Sequence, residues 1–266
     1  MGRHIAALAF IFVCTTVAWM VLGATILLRT DQASRSLGGR VASTWGTPHE
    51  QSPPRAVAGR DTLSLPLERS RVRVALDLEP RRKGLLWYAT YRVAFDGGYV
   101  FRNTGGADAV TFAFPYPASS TLYDDLVFTV DGAPVALEHR DGEARGTARV
   151  APGDTATLRV AYRSQGLDSW SYRFGGGVAP VRDFRLTVAT DFRGVDFRDN
   201  SLSPTRRREV PGGLELEWDY RNLVSGSPIA LLVPQKTQPG PLAGRISFFA
   251  PVPLLFFFFL LFLITT

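Results

Sequence analysis

The chain is poor in the residues that most enzymes and disulfide scaffolds rely on. Its 266 residues include one cysteine, three histidines and two methionines. The single cysteine, Cys14, lies in an apolar run, so no disulfide framework exists and the redox compartment is not indicated. A zinc site needs a cluster of Cys and His ligands that the central segment does not supply. Lysine is also scarce: only Lys83 and Lys236 accompany 28 arginines. Residues 29–245 carry 29 bases against 24 acids, a small and scattered excess that gives no nucleic-acid footprint. The sequence has no Gly-x-Ser-x-Gly elbow, no His-Glu-x-x-His and no phosphate-cradling Gly-x-x-x-x-Gly-Lys.

Long uncharged runs, by contrast, are present at both ends. Ile5 to Leu28 is 24 residues without a charge, reaching roughly 36 Å as a helix against a hydrocarbon core of ~30 Å. Ile246 to Ile264 is 19 residues and reaches roughly 28 Å. Backbone in lipid must satisfy its own hydrogen bonds, so both runs are read as spanning helices. The first has a basic start at Arg3, but its apolar stretch exceeds a signal-peptide core, and Leu22-Gly23-Ala24 is a poor cleavage site. An uncleaved signal anchor is favoured over a cleaved signal. A lipid-replaced tail is disfavoured because Ser225-Gly226-Ser227 lies too far upstream. Pro251 and Pro253 fall in the first half of the second run. The 11 residues from Leu254 to Ile264 reach only roughly 17 Å, so the stretch from Ile246 to Pro253 must also enter the bilayer, with a kink or an interfacial start. The stop at Thr265-Thr266 leads to the expectation that the natural protein or its relatives continue into further helices.

The expected organisation is a tip at 1–4, a helix at 5–28, a proline-rich connector at 29–69, a β domain at 70–236, a connector at 237–245 and a helix at 246–264. Gly38-Gly39 is expected to end the first helix. Pro48, Pro53 and Pro54 make the connector extended and superficial. From Ser70 the period is two: Val72, Val74, Leu76 and Leu78 alternate with Arg71, Arg73, Ala75 and Asp77. Trp87 to Phe95 repeats the pattern and is expected to stop at Asp96-Gly97-Gly98. Asp131-Gly132 and Asp141-Gly142 signal hairpin turns. Phe184–Phe192, Leu214–Tyr220 and Ile229–Val233 complete about ten strands. The predicted fold is an all-β antiparallel sandwich between two transmembrane helices.

Candidate chemistry is sparse. His4 sits at the edge of the first helix, and His49 and His139 are expected to be exposed polar residues. Asp124-Asp125, Asp191, Asp196, Asp199 and Asn200 could group oxygen ligands for calcium, yet each sits near an arginine or a turn, and turn-forming is favoured. Gly175-Gly176-Gly177 reads as a loop. Trp87, Tyr88, Trp170, Tyr172, Trp218 and Tyr220 could form an exposed sugar platform, although core packing is the default. Arg81-Arg82-Lys83 and Arg206-Arg207-Arg208 are read as loop-tip charges, with contact to anionic headgroups as the alternative. No catalytic residue, cofactor or metal is expected.

The segment Trp45-Gly46-Thr47-Pro48-His49-Glu50-Gln51-Ser52-Pro53-Pro54 resembles the Trp-Gly…Gln…Pro stretch of the CreD family of bacterial inner-membrane proteins. The run from Pro239 to Pro251, leading into phenylalanines, is similar to that family's approach to its later membrane helices. Gly84-Leu85-Leu86-Trp87-Tyr88 and Asn200-Ser201-Leu202-Ser203-Pro204-Thr205 are weaker likenesses. The resemblance is to a divergent branch of that family and implies a large periplasmic domain after the first helix, then several C-terminal helices, from which this chain departs by ending after the second. It implies an inner-membrane protein of cell-envelope integrity with residues 29–245 periplasmic, partnered by the lipid bilayer and by other envelope or membrane proteins. Charge counting instead mildly favours a cytoplasmic domain, because Arg29, Arg35, Arg40, Lys236 and Arg245 flank it. The leading functional expectation is a non-enzymatic envelope protein. A membrane-anchored glycan- or polymer-binding module is the alternative, and a membrane-tethered hydrolase using scattered carboxylates ranks third.

Overall fold

The structure, a computed structural model, describes residues 2–59, 64–119, 121–175 and 179–265. Helix α1 covers Gly2–Trp45. Strands β1 (His49–Gln51), β2 (Arg55–Ala58), β3 (Leu67–Leu78), β4 (Arg81–Lys83), β5 (Leu86–Tyr88) and β6 (Thr90–Arg102) follow. Next come β7 (Ala109–Pro115), β8 (Tyr123–Val130), β9 (Ala133–Pro134), β10 (Leu137–Arg140), β11 (Glu143–Arg149) and β12 (Thr155–Leu167). The last strands are β13 (Ser169–Tyr172), β14 (Ala179–Thr190), β15 (Asp196–Phe197), β16 (Arg206–Val210), β17 (Gly213–Ser225) and β18 (Ile229–Leu232). Helices α2 (Pro239–Phe249) and α3 (Pro251–Thr265) end the chain. The chain divides into two compact units: Met1–Val41, Arg82–Trp87 and Lys236–Thr266 form one, Ala42–Arg81 and Tyr88–Gln235 the other.

The larger unit is sheet-rich. Eight strands run in the order β16-β17-β14-β3-β6-β12-β8-β9, and two four-stranded sheets run β1-β13-β18-β15 and β10-β11-β7-β2. The period-two reading holds where it is cleanest. Val72, Val74 and Leu76 of β3 are buried, as are Tyr91, Val93 and Phe95 of β6, while the residues between them are wetter. Their side chains join Phe112 and Phe114 of β7 and Trp170 and Tyr172 of β13 in one core cluster, so all three sheets contribute to it. The Asp131-Gly132 and Asp141-Gly142 turns form as expected. All four residues have positive φ (50°, 80°, 54° and 75°), the mirror-image turn that matches strand twist.

Several expectations are corrected. The sheet is not purely antiparallel: β3 pairs with β14, and β1 with β13, in parallel. These partners lie more than a hundred residues apart, so no helical crossover announces them. The chain does not turn at Asp96-Gly97-Gly98; β6 runs through it. A Cβ at Gly97 would lie 2.7 Å from Tyr99 Cε2 and 2.9 Å from Phe95 Cε1, so this glycine makes room for two rings. Arg206-Arg207-Arg208 is no loop tip but part of β16, an edge strand whose exposed charges discourage further pairing. Helix α1 passes Gly38-Gly39 and ends at Trp45, where Gly46 adopts φ +104° and its N–H reaches the Ala42 carbonyl at 3.1 Å. The 29–69 connector is therefore helix from its start to Trp45. Its proline-rich part supplies β1 and β2, whose His49, Gln51, Ala56 and Ala58 are buried.

Candidate functional site

In the sheet unit, β1 places two polar side chains in the core. Gln51 is fully buried. Its Nε2 donates to the Ser52 carbonyl (2.7 Å) and the Pro115 carbonyl (3.1 Å), and its Oε1 accepts from the Tyr162 hydroxyl at 2.9 Å. One amide thereby joins β1, β7 and β12. His49, expected to be exposed, is 1 % exposed. Its Nε2 lies 3.1 Å from Ser164 Oγ, and its Nδ1 3.3 Å from the Tyr91 hydroxyl. Burial pulls the imidazole pKa down to about 4, against a hydrogen bond with the Thr47 backbone that acts the other way.

Serine next to histidine invites a nucleophile reading, but the geometry does not favour one. The Ser164 hydroxyl donates to the Leu122 carbonyl at 2.8 Å, and the Tyr91 hydroxyl donates to the Ser169 carbonyl at 2.6 Å. A general base must accept a proton, and desolvation opposes that at His49. The second ring nitrogen faces a tyrosine instead of a carboxylate. Gly166 fits this packing, because a Cβ there would collide with the Tyr91 ring and His49 Nδ1. The arrangement is a buried polar clamp between β1, β6 and β12.

The remaining candidates are dispersed. His139 is exposed, with Nδ1 2.7 Å from the Tyr116 hydroxyl. Asp125 pairs with Arg163 at 3.1 Å, while the Asp124 carboxylate accepts the Asp125 N–H. Asp191 accepts the Leu78 N–H at 2.7 Å, Asp196 accepts the Phe197 N–H, and Asn200 takes φ +60° in a turn beside Asp199. Among the described residues no three His, Cys, Asp or Glu side chains gather as metal ligands. Gly176 and Gly177 lie outside the described residues, as do the side chains of Arg3 and His4. Trp170, Tyr172 and Trp218 are fully buried, so they form no exposed platform; Trp87, Tyr88 and Tyr220 are half-buried. The aromatic density instead lines a cleft of about 210 Å³ that includes Phe101, Tyr172, Phe174 and Phe184, with exposed Arg55 and Arg182 among its lining residues.

The other unit is a pair of helices with an appended hairpin. Both α1 and the run Pro239–Ile264 are long and apolar enough to cross a membrane. They pack antiparallel. Phe12 meets Phe258 edge-on at 6.2 Å, Gly23 lies against Gly244 and Phe248, and Thr30 lies against Gly240. The 19 residues from Phe12 to Thr30 make this seam roughly 27 Å long. Its centre is built on missing side chains: a Cβ at Gly244 would lie 2.8 Å from Leu27 Cγ and Cδ2, and one at Gly240 would collide with Thr30. Gly240-x-x-x-Gly244 is the small-residue spacing that lets helix backbones approach closely. This spacing stands within the Pro239–Pro251 run of the sequence. Between α2 and α3 the backbone stays helical at Ala250 (φ −55°, ψ −32°), despite the lost donors of Pro251 and Pro253.

The hairpin β4–β5 carries Arg82, Lys83 and the exposed tip Leu85. Gln238 mimics a neighbouring strand: Trp87 N–H donates to its Oε1 (3.0 Å), and its Nε2 donates to the Trp87 carbonyl (2.6 Å). Lys236 Nζ stands 4.3 Å above the Trp87 ring.

No protein-family model and no curated protein matches this chain. Among solved structures it is similar to the M1 zinc metallopeptidase from Deinococcus radiodurans, at 12% identity and a TM-score of 0.43, covering 67% of this chain and 43% of that one. A two-domain M1 zinc metallopeptidase mutant bound to L-tryptophan aligns at 14% identity and a TM-score of 0.36, covering 67% and 44%. The chain thus spans less than half the length of these neighbours, and a likeness this distant carries no argument about activity.

Proposed function

We propose that this chain is a non-enzymatic inner-membrane protein of the cell envelope. Helix α1 and the α2–α3 run cross the bilayer as a pair, and an extracytoplasmic β-sandwich contacts other envelope components. The observation that carries this reading is the surface of the helix pair. Among the described residues, ten large apolar side chains of α1 and fourteen of α2 and α3 are exposed, including Phe10 at 69 %, Phe249 at 70 % and Phe256 at 64 %. Keeping so much apolar surface in water would cost on the order of tens of kcal/mol, which hydrocarbon removes. Two spans returning the chain to the side it left put everything between them in one compartment. The sequence resemblance to the CreD family supports the extracytoplasmic side. Alkaline phosphatase fused into the Pro152-Gly153 turn tests this: activity is expected, and an inactive fusion beside an active cytoplasmic reporter at the same site overturns the orientation.

A second reading, a module that binds an envelope polymer, is favoured by the cleft beside half-buried Phe174 with exposed Arg55 and Arg182. Calorimetric titration of the detergent-solubilised protein with a soluble anionic glycan tests it. Binding weakened by Arg182→Gln supports it; absence of heat refutes it.

A further inference from the structure

We propose that the junction of α2 and α3 holds an anionic glycerophospholipid, its phosphate on Arg245 and an acyl chain along the helix surface below. This rests on the membrane reading above. A groove of about 470 Å³ is lined by Arg245, Ile246, Phe249, Ala250 and Pro253. These positions recur at three- and four-residue spacing, so they form one stripe on one helix face. Gly244 and Ser247, off this stripe, are the buried residues of α2, and Gly244 packs on α1. The groove side is open, with Ile246 61 % and Phe249 70 % exposed.

Polarity along the stripe matches a phospholipid in the correct order. Arg245 is the last charge before the apolar run, and Pro253 follows roughly 12 Å deeper, about the upper half of one leaflet's hydrocarbon. Arginine presents a planar fork of donors that suits a phosphate diester. The charge balance of the unit selects the headgroup. The same unit carries Arg29, Arg35, Arg82 and Lys236, all beyond the apolar run of α1 or before that of α2. Its one acid, Asp31, is already paired with Arg35 at 2.7 Å. A basic collar of this kind favours lipids with net negative headgroups over zwitterionic ones.

Native mass spectrometry of the detergent-purified full chain, titrated with phosphatidylglycerol or phosphatidylcholine, tests the proposal. Phosphatidylglycerol is expected to remain bound preferentially, and inorganic phosphate is expected not to displace it. Arg245→Gln should lower its affinity about fivefold, the effect of one basic side chain at an anionic surface. Phe249→Ala should weaken both lipids and leave their ratio unchanged. Equal retention of the two lipids, or an Arg245→Gln chain with undiminished preference, overturns the proposal. Alkaline carbonate washing of membranes holding the same variants separates the two readings. A chain released by carbonate defeats the membrane reading itself, whereas a retained chain without headgroup preference defeats only the lipid site.

Discussion

Replacing Gln51 with leucine should destabilise the sheet unit by about 3 kcal/mol. The side chain is fully buried and makes three hydrogen bonds, to Ser52, Pro115 and Tyr162. Leucine has a similar length and leaves the Pro115 carbonyl and the Tyr162 hydroxyl without their partner. An orphaned buried polar group costs about 1–3 kcal/mol, and added apolar contact returns part of that. In a unit of this size the loss should lower Tm by about 6–12 °C. The assay is unfolding of the full chain in detergent micelles, followed by fluorescence of the buried Trp170 and Trp218. Tyr162→Phe supplies the second arm. With the hydroxyl gone, the same Gln51→Leu change should cost about 1 kcal/mol less, a coupling that a double-mutant cycle isolates. A loss below about 0.5 kcal/mol, or no coupling, would refute the claim that this amide clamps β1 to the core.

His49 should make the sheet unit acid-sensitive. Its pKa falls from 6.5 to about 4 on folding, so between those values the unfolded chain binds the extra proton. Stability is then complete above pH 6.5 and declines toward pH 4, by up to ~3 kcal/mol. The slope of unfolding free energy against pH should flatten in His49→Gln; an unchanged slope would assign it elsewhere. Gly244→Leu should separate the helix pair, since even a Cβ there meets Leu27 at 2.8 Å. In a Cys14→Ser background, a short bismaleimide should link Phe12→Cys to Phe258→Cys. Adding Gly244→Leu should abolish that link, and its persistence would contradict the close seam.

Much of this architecture is legible in the sequence because periodicity is a local signal. The alternation in β3, β6 and β17 and the two Asp-Gly turns need no distant partner to be recognised, and the apolar runs declare their length directly. What was not legible depends on tertiary partners. β1 is three residues in a proline-rich stretch, with no alternation to read, and it exists because β13 lies ready to pair with it in parallel. That pairing buries His49 and Gln51, two residues whose type alone suggests exposure. Glycine pairs misled in both directions. Gly38-Gly39 costs a helix only ~2 kcal/mol, too little to stop α1, whereas Gly46 followed by Pro48 was the true stop signal. Gly97 sits in a strand because the rings of Phe95 and Tyr99 occupy the missing side-chain volume. The Gly240-x-x-x-Gly244 seam was readable by spacing, but it acquires meaning only with Gly23 opposite it.

Lipid embedding of the helix pair is the premise on which the functional account stands. Membranes from cells expressing the chain, washed in alkaline carbonate and then extracted with detergent, test it most directly. The account predicts that the chain stays in the washed pellet and leaves it only with detergent. Release into the carbonate wash as a monodisperse, detergent-free protein would contradict it.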